Sequence, residues 1–300
     1  MRLARYLPIV LAALLCAAPS LAAPPTPAQI QEKYAAADYR GALAGIAQAL
    51  ALKPGSDEGY DRYALLMLKG ECLVQLGSQS LAADAFEDAR EATDHLGRAA
   101  AAKANEIVLR KALAFKYVPK TGTDKNAIDI KPADGRLRAM NALRADLLAQ
   151  NKVQIGTAAQ AGNLEPLLKL MPVLRQIATL EIGATGDLVQ SRPMLVELGT
   201  HARTLIVAEL RRCRMEVEAM NGAANEVWVN DDQVGRRGLY TKERRELAGT
   251  GDYVRRIEET AREGRRIARL LGGAADAWEQ IVADSGDLVT RIDIILKRVD

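Results

Sequence analysis

Aromatic side chains are scarce in this chain. They make up 4% of its 300 residues, with two Phe and two Trp, although 49% of the residues are hydrophobic. The apolar content is therefore mostly Ala and Leu, which lose little side-chain freedom in helices, and this argues against a β-rich fold. Histidine and cysteine are equally sparse. His95, His201, Cys16, Cys72 and Cys213 are the complete set, too few for a disulfide framework or a strong metal site. Beyond residue 22 the serines are Ser56, Ser78, Ser80, Ser191 and Ser285, and a Ser-His-Asp site would need one of the two histidines. His95 reads as part of the last turn of a helix before Gly97, where partial positive charge is favoured. His201 sits beside a core stripe and reads as a packed or half-exposed side chain. There is no phosphate-binding glycine loop, His-Glu-x-x-His pair, Gly-x-Ser-x-Gly elbow or Cys-x-x-Cys. Asp231 and Asp232 read as a solvated turn, because a calcium loop wants oxygens at alternate positions over roughly twelve residues. No catalytic residue, metal ligand or cofactor is expected.

Long apolar runs are missing except at the start. Arg2 and Arg5 precede an apolar stretch from Tyr6 to Ala18, followed by small residues at Ser20 to Ala22 and then a Pro-rich segment. This predicts a secretory signal over residues 1–22, cleaved after Ala22 or Ala23. The run is shorter than the ~20 residues a spanning helix needs. Leu15 before Cys16 disfavours a lipoprotein site. The expected mature chain is periplasmic or secreted, with no transmembrane span. Without Arg2 and Arg5, the 41 basic residues fall almost to the number of acidic ones, 38, so nothing marks a nucleic-acid partner. Cys72 and Cys213 fall on apolar helix faces and are expected to remain free, buried thiols.

After a linker over 23–27, helical patterning begins. Helices are expected over Ile30–Tyr39, Gly41–Leu52, Tyr63–Leu76 and Leu81–Thr93. Aligning Ala42 with Ala82 matches Ile46 to Phe86 and Ala49 to Ala89, an internal repeat of small, large and small residues. With Gly70 in the first helix and Gly77 at the turn, residues Tyr63 to Asp94 resemble the tetratricopeptide repeat family. Tyr39, Ala42, Ile46, Ala49 and Pro54 carry the preceding unit. Lys69 stands where the family usually has Leu, Leu73 replaces an aromatic, and Ala37 replaces the turn glycine. The unit is also longer than the family's ~34 residues. The resemblance implies a groove at Ala64, Met67, Glu71, Val74 and Gln75. Met67 and Glu71 offer no cation for a peptide carboxylate, so an apolar or basic peptide fits better. Arg98 to Phe115 starts a third unit without its partner helix. The repeat module is thus expected over 28–116.

Pro119, Gly122, Asp124, Asn126 and Pro132 make residues 117–133 a linker loop. An antiparallel bundle of about four helices is expected over 134–300, the whole chain being all-α. The first of these helices runs from Asp134 to about Ala161 with Leu137, Met140, Leu143 and Leu147 inward. The second is capped by Asn163 and kinked at Pro172. A third carries the stripe Leu195, Leu198, Ala202, Ile206, Leu210, Cys213, Val217 and Met220. The last region has two adjacent apolar rows, and Gly272-Gly273 or Ser285-Gly286 are its candidate breaks. A small β-hairpin over 226–240 interrupts the helices, with Thr241 as the next N-cap.

The basic pairs Arg236-Arg237, Arg244-Arg245, Arg255-Arg256 and Arg265-Arg266 are the main charge feature. Arg255 with Glu259, and Glu258 with Arg262, have the four-residue spacing of a solvated, ion-paired face. Arg236, Arg237, Arg244 and Arg245 are the candidates for an anionic surface. The sequence therefore points to an exported, non-enzymatic protein that binds or scaffolds another envelope protein or peptide. Two other readings stay open: an enzyme with a carboxylate and arginine site in the bundle, and a protein associated with a membrane surface or anionic polymer.

Overall fold

The computed structural model describes residues 24–52, 59–114, 128–230, 233–236 and 238–298. The expected signal peptide, most of the linker loop, Asp231, Asp232 and Arg237 lie outside these residues.

The described chain is almost wholly helical, as its composition demands. Helices α1 (Pro27–Ala35), α2 (Tyr39–Leu50), α3 (Arg62–Gln75), α4 (Gln79–Glu91) and α5 (Leu96–Ala114) follow one another, each packed on its neighbour. The turns after α1 and α3 close in the same way. Asp38 N–H donates to the Lys33 carbonyl and Ser78 N–H to that of Leu73, both at 2.9 Å. The residue before each donor is left-handed: Ala37 at φ 59° and Gly77 at φ 77°. Ala37 adopts a conformation that glycine takes at no steric cost. The two hairpins are thus built on one plan, with the same turn recurring after 40 residues. Between α3 and α4, a Cβ added to Gly70 would come within 2.7 Å of the Phe86 ring. The helices approach this closely because residue 70 has no side chain.

Among the described residues six helices follow where the sequence predicts about four: α6 (Ala133–Gln150), α7 (Lys152–Gln160), α8 (Glu165–Thr185), α9 (Arg192–Ala224), α10 (Thr241–Leu270) and α11 (Asp276–Arg298). The expected single helix from Asp134 to Ala161 breaks at Asn151, whose side-chain amide donates to the Leu147 carbonyl at 2.7 Å. A side chain that competes for the helix's own carbonyl disrupts the ladder there. The last region breaks at Gly272 (φ 70°) and runs unbroken through Ser285, whose buried hydroxyl donates to the Ile281 carbonyl. Pro172 lies inside α8, which continues past it. The caps differ from expectation. Leu164, not Asn163, precedes α8, and Tyr240, not Thr241, precedes α10, with the Glu243 carboxylate accepting the Tyr240 N–H. Between α9 and α10, β1 (Val227–Asn230) and β2 (Gln233–Arg236) pair antiparallel, with Val227 opposite Arg236 and Asn230 opposite Gln233.

The main core joins α8, α9, α10 and α11. In α9 the stripe from Leu195 to Val217 is buried at every expected position, and Met220 packs partly against it. Trp278 of α11 sits over Gly264 of α10. Smaller cores lie within α1–α5. Helix α5 belongs to both halves. It packs on α4, and its Ala104 and Val108 share a core with Ala139 and Met140 of α6 and Leu180 of α8. Gly183 permits this, because a Cβ there would meet that of Ala104 at 2.2 Å.

Candidate binding surfaces

The expected groove on α3 is turned toward the start of α6. Ala64 is exposed, Met67 is half-buried between α3, α4 and α5, and Val74 is in the core. Glu71 and Gln75 have partners from the chain itself. The Gln75 amide donates to the Lys131 carbonyl at 3.0 Å. Glu71 pairs with Arg136, whose side chain is only 2% exposed. The Arg136 guanidinium also donates to Asn105 Oδ1 at 2.9 Å and to the carbonyls of Ile130 and Lys131 at 3.1 and 2.9 Å. Four hydrogen bonds to three segments account for nearly all its donors, as a buried guanidinium requires. The expected basic occupant of this face is therefore Arg136. Its burial turns α6 so that Leu137, expected inward, is exposed.

A second concavity lies between α5, α6 and α8. Both α5 and α6 run antiparallel to α8: Ala104 and Met140 meet at Gly183, Arg144 reaches Glu181, and farther along Lys111, Leu147 and Gln150 face Gln176. Helices α5 and α6 are thus parallel, pinned together at the Asn105–Arg136 contact. Beyond it they leave a cleft of about 320 Å³. Its walls are aliphatic: Ile107, Val108 and Ala112 on α5, Ala139, Ala142, Leu143 and Leu147 on α6, and Ile128 and Ile130 of the connecting chain. Lys111, Asp146, Gln150 and Gln176 line its far end.

The arginines of α10 are mostly paired. Arg262 meets Glu258 as the spacing predicts, but Arg255 meets Asp252 and Asp293 rather than Glu259, because α11 brings Asp293 alongside. Arg256 grips both oxygens of Glu165, and Arg266 meets Glu263. Arg244 is half-buried, Arg245 is exposed, and Arg236 ends β2. Exposed Val227 and Tyr240 flank this region.

Several other chemistry-bearing side chains have partners within the fold. Cys72 and Cys213 are free and buried, and burial pushes each thiol up to about 11. His95 lies at the start of α5, not in the last turn of α4, and its Nδ1 accepts the Arg98 N–H. His201 Nε2 bonds the Ala161 carbonyl at 2.8 Å, where the carbonyl makes it the donor. Glu181, 1% exposed, accepts the N–H groups of Val189, Gln190 and Ser191 and pairs with Arg144. Burial would raise its carboxyl, but the bonds from Ser191, Gln190 and Val189 prevail and hold it below the ordinary carboxylate value. It anchors the turn that starts α9. Among the described residues, no group of three or more His, Cys, Asp and Glu is placed to hold a metal, and no helix is long and apolar enough to cross a membrane.

Neither the residue that closes the α3 face nor the cleft is marked in the local sequence. The one available hint is the Ala-rich spacing of α5 and α6 (Ala112, Ala139, Ala142), which leaves room beside longer aliphatic neighbours. No family model, curated protein or solved structure matches this chain.

Proposed function

We propose that this is an exported, non-catalytic binding protein of the cell envelope that holds an apolar part of a partner protein or peptide in the cleft between α5, α6 and α8. The cleft carries the reading: it is concave, has aliphatic walls on three sides, and gathers its polar groups at one end, as ligand sites do. The recurring turn at Ala37 and Gly77 and the close Gly70–Phe86 contact support treating α1–α4 as two TPR-like units. In this reading those units cap the bundle, since Glu71 and Gln75 are committed to the chain's own Arg136 and Lys131. The strands β1 and β2 are a small excursion between α9 and α10.

Pull-down from an envelope fraction tests the proposal, comparing the wild type with Ala142→Phe and Ala112→Phe, which fill the cleft from opposite walls. A partner retained by the wild type and lost with both variants is expected. A partner bound equally by all three places the interface elsewhere. Export predicts that the protein recovered from the periplasm or medium begins after Ala22 or Ala23, and an intact Met1 there refutes it. A surface-associated role has an observation of its own in exposed Val227, Tyr240 and Arg245. It requires binding to anionic vesicles that weakens with salt and with Arg244→Gln/Arg245→Gln.

A further inference from the structure

We draw no further inference here: the strongest candidate, the aliphatic cleft between α5, α6 and α8, belongs to the site already described, and nothing in the structure shows what covers it.

Discussion

Arg136→Met removes the guanidinium that ties α6 to α3 and α5, and it should be among the most damaging single substitutions in the chain. Removing one member of a buried ion pair costs ~3–5 kcal/mol, because the remaining charge is left without a partner. Here Glu71 is 22% exposed, so water reaches it in part, and the low end of that range applies. The carbonyls of Ile130 and Lys131 and the Asn105 amide also lose a donor, at about 1 kcal/mol for each bond. A loss of roughly 5–6 kcal/mol follows, the Lys131 carbonyl keeping its bond from Gln75. For a chain of this size that is a fall in melting temperature of roughly 10–24 °C. A double-mutant cycle with Glu71→Leu separates the terms. The pair should show a coupling of ~1–3 kcal/mol, yet Arg136→Met/Glu71→Leu should stay below wild type, because the Ile130 carbonyl and the Asn105 side-chain oxygen lose their donor. Urea unfolding followed by circular dichroism measures all four proteins. A loss under about 1 kcal/mol for Arg136→Met, or a cycle additive within ~0.5 kcal/mol, refutes the role assigned to this residue.

Other outcomes follow from the same structure. Glu181 titrates below its unfolded value, so its stabilisation is present above the ordinary carboxylate range near ~4.3 and is lost as pH falls through the folded value. Glu181→Gln should cost about 2 kcal/mol at pH 7 and flatten the stability profile at acid pH, and an unchanged acid slope counts against the assignment. Gly264→Ala puts a Cβ within 2.5 Å of the Trp278 ring. It should destabilise by ~1–3 kcal/mol despite better helix propensity. Gly249→Ala meets nothing within 4 Å and should stabilise by up to ~1 kcal/mol, so the opposite ranking in thermal melts refutes the packing described. The thiols of Cys72 and Cys213, held at about 11 by burial, should resist a disulfide reagent at pH 8 until denaturant is added. Rapid labelling of the native protein refutes their burial.

Helices were legible where periodicity alone decides burial. The three-four stripe of α9 reached the core intact, as did Val254, Ile257, Ala261 and Gly264 in α10. Breaks were legible where glycine made them, at Gly77 and Gly272, and hidden where an ordinary residue did so. Asn151 ends α6 through its own amide, and Ala37 adopts a left-handed turn without a glycine. The repeat pattern pointed to the α3 face, but not to the residue that packs on it. A lone Arg in a polar stretch reads as solvated, and Arg136 is buried only because Glu71 and Asn105, distant in sequence, meet it there. The cleft depends on how α5 and α6 both lie on α8, a relation that no single helix encodes.

The position of Arg136 bears on how this protein can be taken apart. Judged by sequence, the natural cut falls in the proline- and glycine-containing stretch between α5 and α6. Cohesion is distributed otherwise. An α1–α5 fragment would expose Ala104 and Val108 and leave Glu71 and Asn105 without their cation, while the complementary fragment would carry the guanidinium on an open surface. The two halves should express poorly apart and recover each other when combined. The weakest point of the backbone pattern is therefore a poor place to divide the molecule, and a separable unit would have to keep α5 with α6 and α8.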